Sequence, residues 1–183
     1  MKKADLRKKI LLNRSTVHTM GVHRLIQQHL QTFLLTTQAK VLGFYWPIRN
    51  EIDIVPIARV NCNSFQWVLP KIKQSHMGFY DWNSEEKLLV DDFGVPSPSF
   101  GKEIVPDVIF VPCLAMDYHG HRLGYGQGWY DRYLCQYPSI YTVGIVASEF
   151  LYPSLPSEKH DIVLNALVTE NGFKIIHHAD DAI

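Results

Sequence analysis

A chain of 183 residues fits one domain at about 100–200 residues each, and a composition that is 46% hydrophobic and 20% charged excludes a disordered chain. The 18 Lys and Arg balance the 18 Asp and Glu, so no basic excess exists to neutralise a nucleic-acid backbone, and no nucleic-acid partner is expected. No apolar run nears the ~20 residues of a membrane span, and the charged start Met1-Lys2-Lys3 is unlike an export signal; a cytoplasmic protein with no membrane partner is expected.

Residues 2 to 14 read as a helix. Lys3, Arg7 and Arg14 fall at i, i+4 and i+11, which at about 100° per residue leaves them within ~40° of one another. They form one cationic row beside an apolar strip of Leu6, Ile10 and Val17. If that strip docks on the domain, the row points along the seam; otherwise the helix is a solvated basic one. A second helix is expected to start at the N-caps Ser15 or Thr16 and to present Val22, Leu25, Ile26, Leu30, Phe33 and Leu34 on one face. Residues 1–37 are thus read as an N-terminal helical segment packed on the domain.

A strand from Val41 to Trp46, a helix from Asp53 to Asn63 capped by Asp53, and a strand from Gln66 to Leu69 give a βαβ-like rhythm. Between Pro70 and Pro106, Gly, Pro and charge predict loops and an edge hairpin with one strand at Met77 to Trp82. Val108-Ile109-Phe110-Val111 is the apolar, β-branched run of a central strand buried on both faces. A glycine-rich loop from Asp117 to Gly128 follows, then a helix from Trp129 to Gln136. Strands at Thr142 to Ala147, Ala166 to Thr169 and Phe173 to Ile176 complete the chain. The alternation predicts a single-domain layered α/β fold over 1–183, with a mostly parallel central sheet and helices on both faces.

The three cysteines, Cys62, Cys113 and Cys135, lack a CxxC pair, which suits reduced thiols and gives no zinc spacing. Gly124, Gly126 and Gly128 alternate between a buried strand and a helix start. Glycine permits positive φ and close approach of a ligand to backbone N–H groups, and the helix start adds free N–H groups and partial positive charge. Such a loop would cradle phosphate, yet it is neither a Walker A loop nor a complete GxGxxG. Asp131, in the first helical turn, could cap N–H groups or hold magnesium beside a phosphate. Arg122 and Arg132 could meet phosphate oxygens or act as surface ion-pair partners.

The segment Pro106-Asp107-Val108 through Leu114, Asp117 and Gly120, followed by Arg122-Leu123-Gly124-Tyr125-Gly126-Gln127-Gly128-Trp129-Tyr130-Asp131-Arg132, resembles the strand, spacer and R-L-G-x-G-x-G-Y-Y-D signature of the 5-formyltetrahydrofolate cyclo-ligases. Lys3-x-x-Leu6-Arg7-x-x-Ile10-x-x-x-Arg14 resembles that family's opening helix, whose basic residues contact ATP. Glu51 resembles its folate-contacting glutamate. Leu155-Pro156, His160-Asp161 and Thr169-Glu170 resemble its closing pattern. Trp129 replaces the usual Tyr or Phe, Gln127 a basic or small residue, and Ser97 a common glutamate.

The resemblance implies an ATP- and Mg²⁺-dependent cyclisation of 5-formyltetrahydrofolate to 5,10-methenyltetrahydrofolate, through a phosphorylated formyl intermediate, by a monomer or weak homodimer. It places ATP at Lys3, Arg7, Arg122, Gly124, Tyr125, Gly126, Gln127, Gly128, Trp129 and Tyr130. Folate would lie at Trp46, Glu51, Tyr125 and Tyr130, magnesium at Asp131 and Asp161, and the reacting groups beside Arg122 and Tyr130. Two other readings remain: a non-catalytic nucleotide- or folate-binding module of the same fold, and a metal-dependent hydrolase using His119, His121, His177 and His178.

Overall fold

The computed structural model describes residues 2–176; His177 and His178 of the hydrolase reading lie outside the described residues. Helix α1 (Lys3–Val17) outruns its expected end, and α2 (Met20–Leu34) is capped not by Ser15 or Thr16 but by Thr19, whose hydroxyl accepts from the Val22 N–H at 3.4 Å. Ser15 and Thr16 instead lie within the last turn of α1, because that helix keeps its apolar strip in contact through Val17. Of the expected α2 face, Ile26, Leu30 and Leu34 are buried, whereas Leu25 is exposed.

Strand β1 (Val41–Gly43) is shorter than expected, helix α3 (Val55–Val60) is trimmed at both ends, and β2 (Gln66–Lys73) is longer. The Asp53 carboxylate does hold the start of α3, accepting from the Val55 N–H at 2.9 Å. Pro70 is tolerated inside β2 because β1 pairs only with residues 66–68. Strand β3 (His76–Asp81) completes the edge hairpin, and a small ribbon of β4 (Leu89–Val90) and β5 (Pro96–Ser97) follows.

Strands β6 (Val108–Pro112), β7 (Ala115–Asp117) and β8 (Arg122–Leu123) precede helix α4 (Trp129–Gln136), which has the expected ends. After it come β9 (Tyr141–Ile145), β10 (Leu151–Tyr152), β11 (Ala166–Thr169) and β12 (Gly172–Ile175). The main sheet has the order β12-β11-β9-β6-β1-β2-β3; its five inner strands run parallel and its two edge strands antiparallel. β6 is central, as its apolar run predicts. A second sheet, β10-β7-β8, occupies part of what reads as a loop, so Arg122 starts a strand rather than lying in a turn.

Neighbouring residues on β6 point to opposite faces. On one, Phe110 meets Phe33 of α2 edge to face at 6.1 Å and lies beside Trp67. On the other, Ile109 packs near Gly43 and Phe79, where an added Cβ on Gly43 would come 3.0 Å from both, and Phe79 packs on Tyr133 of α4 at 5.1 Å. Helices therefore cover both faces. Burying each large aliphatic side chain in these layers contributes about 1.5–3 kcal/mol before ordering costs.

Candidate active site

The loops after β1 and β6 leave the sheet at the carboxyl ends of neighbouring parallel strands, where open α/β sheets place their ligands. The first carries Glu51, and the second leads through β7 and β8 to the glycine loop. Helix α1 lies across both. Leu6 and Ile10 are buried, so the cationic row does run along the seam.

Each cation in that row has a partner. Lys3 Nζ donates to Asp161 Oδ2 at 2.7 Å and lies 3.1 Å from Glu158. Arg7 Nε donates to the Gly124 carbonyl at 2.8 Å, and its guanidinium fills the space beside Gly126, 3.2 Å from where a Cβ would stand. Arg14, 2% exposed, donates from one nitrogen to the Tyr125 hydroxyl at 2.6 Å and the Arg49 carbonyl at 3.3 Å; its other terminal nitrogen is 3.9 Å from Glu51 Oε1. That last separation allows Coulombic attraction but no hydrogen bond.

Gly126 and Gly128 have φ of 92° and 66°, the left-handed region where L side chains are strained. Gly128 is the N-cap of α4 and supplies no side-chain cap, so the first-turn N–H groups of that helix lack a side-chain acceptor there. Arg122 donates to Asp131 Oδ1 at 2.7 Å and to the Ile162 carbonyl at 2.8 Å, and the Ile162 N–H donates to the same Oδ1 at 3.0 Å. Asp161 Oδ2 accepts from Lys3 and from the Glu158 N–H. Partial burial opposes its charge, but those bonds outweigh the burial and hold its carboxyl below the ordinary value. Among the described residues no three His, Cys, Asp or Glu side chains gather to hold a metal. One or two carboxylates suffice for magnesium when phosphate supplies the other oxygens, and Asp131 and Asp161 each keep one oxygen outside these bonds. The donor set fits.

Glu51 is 5% exposed and belongs to a tight turn: its N–H donates to the Ile48 carbonyl at 2.9 Å, and the Ile48 N–H donates to Glu51 Oε2 at 3.0 Å. Burial raises its carboxyl above the ordinary range, while the Ile48 N–H, Arg14, Tyr125 and Arg49 pull it part of the way back. Burial likewise pushes the Tyr130 hydroxyl up, so it stays neutral. Trp46 is half-buried against the core. Tyr125 lies beside Glu51, whereas no hydrogen bond among the described residues joins Trp46 to it, and Gln127 is exposed and offers its carbonyl to Arg132 at 2.9 Å. Trp129 stacks edge to face on Phe93 at 5.0 Å and lies under the Arg132 guanidinium at 4.4 Å.

Sequence reading missed Glu158 as a partner of Lys3 and Arg14 as a partner of Tyr125, and it named Asp117 in the motif without giving it a role. The 0%-exposed Asp117 carboxylate accepts from the backbone N–H groups of His119, His121 and Leu155 and pairs with His121 Nδ1, so it fixes the turn that carries these histidines. Cys113 is core: burial pushes its thiol up to about 12. Ser97 is also buried, with its hydroxyl on the Leu89 carbonyl.

The model of the 5-formyltetrahydrofolate cyclo-ligase family matches residues 1–170. The chain belongs to that family. As a member of the cyclo-ligase family it is an enzyme, a ligase. A 5-formyltetrahydrofolate cyclo-ligase of Mycoplasma genitalium is 30% identical over 173 residues, 91% of this chain and 96% of the relative. One from Escherichia coli K12 is 26% identical over 151 residues, 76% of this chain and 83% of its own. The NMR structure of Aquifex aeolicus 5,10-methenyltetrahydrofolate synthetase superposes with a TM-score of 0.84 at 29% identity, covering 98% of this chain and 95% of that one. These matches bear out the resemblance read from the motifs and displace the hydrolase reading.

Proposed function

We propose that this ligase converts 5-formyltetrahydrofolate to 5,10-methenyltetrahydrofolate, consuming ATP and releasing ADP and phosphate. A formamide oxygen is a poor leaving group. When that oxygen attacks the γ-phosphorus, ADP departs and the oxygen becomes part of a phosphate ester. N10 then attacks the formyl carbon, the bond from carbon to the esterified oxygen breaks, inorganic phosphate leaves, and the N10 proton passes to solvent. Both steps need positioning and charge neutralisation more than covalent help from the protein.

The observation that carries this proposal is the meeting of the α1 cations with the glycine loop, next to a buried carboxylate. Lys3, Arg7 and Arg122 would neutralise ATP phosphates, and the N–H groups from Gly124 to Tyr130, with Gln127 and Trp129 among them, would receive phosphate oxygens. Asp131 and Asp161 would hold magnesium, which supplies charge neutralisation on the transferring phosphoryl group. Glu51 would accept from the pterin ring N–H groups, with Trp46, Tyr125 and Tyr130 around the ring. Arg122 and Tyr130 would face the reacting centre. One cluster of buried apolar residues extends from Leu6 to Ile176, which supports reading the chain as a single working unit, and we take that unit to act as a monomer or weak homodimer. No described helix is long and apolar enough to cross a membrane, and with the cysteines unpaired a cytoplasmic setting is the one we favour.

The test follows methenyl absorbance with purified protein, 5-formyltetrahydrofolate, Mg²⁺ and ATP, alongside Asp131→Asn. A rise that needs ATP and Mg²⁺ and collapses in the variant is expected. No rise, with ATP or folate still bound by calorimetry, would replace this function with the non-catalytic binding module.

A further inference from the structure

Arg49 and Asn50 are consecutive residues with φ of 47° and 59°, left-handed in a stretch without glycine. They form the centre of the four-residue turn from Ile48 to Glu51, closed by the Glu51 N–H on the Ile48 carbonyl. Such a conformation persists only where surrounding bonds fix it. Here both central carbonyls are gripped by the end of α1: Arg14 donates to that of Arg49 at 3.3 Å, and His18 Nδ1 donates to that of Asn50 at 2.7 Å. A carbonyl can only accept, so His18 carries its proton on Nδ1, and burial beside Arg14 keeps the ring neutral. Arg14 also reaches across to the glycine loop through the Tyr125 hydroxyl, over whose ring both Arg14 and Arg49 lie at 5.9 and 5.4 Å.

We infer that Arg14 is a positioning residue for the folate site, holding Glu51 through its turn and its charge and tying that turn to the glycine loop through Tyr125. The inference rests on the assignment of Glu51 to the folate ring. Its geometry argues against a purely structural role. Arg14 is almost fully buried, and its Nε–H has no partner among the described residues. A side chain kept for packing alone would be replaced with little loss by an apolar one of similar length. The groups facing Glu51 are Arg14 from α1, Arg49 from its own turn, Tyr45 after β1, Cys113 after β6, Tyr125 from the glycine loop and Tyr130 from α4. Only the two arginines are positive, and Arg49 is exposed to screening water. Arg14 is therefore the principal buried counter-charge.

Three variants, Tyr125→Phe, Arg14→Lys and Arg14→Met, are compared with wild type after melting curves show each folded. Tyr125→Phe is expected to raise KM for 5-formyltetrahydrofolate by about tenfold, and Arg14→Met by more, with KM for ATP unchanged; Arg14→Lys restores part of the loss. Independently of activity, carbon-13 labelling of glutamate carboxyls follows the Glu51 titration in the ligand-free protein, where Arg14→Met moves it to higher pH. An unmoved titration in Arg14→Met, or equal KM rises for both substrates in Tyr125→Phe, overturns the inference. If wild type forms no methenyl product, the proposed reaction fails, while the ligand-free titration still decides the role of Arg14. If Arg14→Met does not fold, Tyr125→Phe and Arg14→Lys carry the same two readouts.

Discussion

The two ends of the parallel sheet are built on opposite plans. At the amino end, the Asp107 carboxylate accepts the Lys40 and Val41 N–H groups at 2.7 and 2.9 Å, and Phe33 stacks with Phe173 at 5.1 Å. These contacts stitch chain segments together at the surface and leave no buried charge unpaired. At the carboxyl end, Arg14 and Glu51 are buried, the Arg122 side chain is 6% exposed, and left-handed residues occur in both loops. Burying charge and bending backbone both cost stability, so a fold selected only to persist would have two ends of the first kind. The excess cost at one end supports placing the proposed site there.

That contrast is most sharply tested by removing one carboxylate from each end. Asn at position 131 keeps an oxygen for Arg122 and for the Ile162 N–H, so Asp131→Asn should melt close to wild type while turnover falls roughly 10²-fold or more. Asp107→Ala should do the reverse. Losing two hydrogen bonds costs on the order of 1–3 kcal/mol, or a few degrees of melting temperature at this size, while KM for both substrates stays where it was. Equal effects of the two substitutions on turnover would erase the distinction between the ends.

The Lys3–Asp161 pair, at the outer margin of the site, sharpens the comparison through pH. Partial burial lowers the Lys3 pKa, but the bonds to Asp161 and Glu158 outweigh it and leave the group raised; Asp161 is correspondingly lowered. The carboxylate contribution is therefore present above the unfolded value of about 3.9 and is lost as pH falls through the lower folded value. The ammonium contribution is present below about 10.4 and is lost as pH rises through the higher folded value. Urea midpoints of wild type and Lys3→Met should differ by an amount on the order of 1 kcal/mol at neutral pH, and the difference should shrink toward both extremes. A difference that does not change with pH would mean Lys3 stabilises by packing alone.

What the sequence revealed followed from how local each cause was. The Val108 to Val111 run marks a central strand because four successive buried residues need cover on both faces, and α4 starts where expected because Gly128 takes a left-handed conformation that sets the loop off from the helix. The cationic row was readable because helical geometry alone sets it. Other features depend on distant partners. Leu151–Tyr152 becomes a strand only by pairing with Met116–Asp117, which Asp117 fixes through the Leu155 N–H. Ser15 and Thr16 look like caps until α1 continues past them. Nothing in Pro47-Ile48-Arg49-Asn50-Glu51 announces two left-handed residues, because the bonds that hold them come from Arg14 and His18 on another element. Of the site, the charged residues were legible, and which of them pair with one another was not.

Gln127 offers the smallest effect, and it bears on why the carboxyl end tolerates so much buried charge. The residue is exposed, at the tip of the glycine loop between Gly126 and Gly128. If the glycine loop receives phosphate, Gln127→Lys adds a cation near the anion and should lower KM for ATP by about two- to fivefold, the yield of a solvent-exposed ion pair. KM for 5-formyltetrahydrofolate should not move, since Glu51, the carboxylate proposed to face folate, is reached through Arg14 and Tyr125 rather than through position 127. Because the new charge is exposed, the gain should vanish near 1 M salt, where screening acts within about 3 Å. A gain that survives such salt would mean that the introduced ammonium makes a water-excluded contact, and the buried-charge plan of this end would then extend to the tip of the loop.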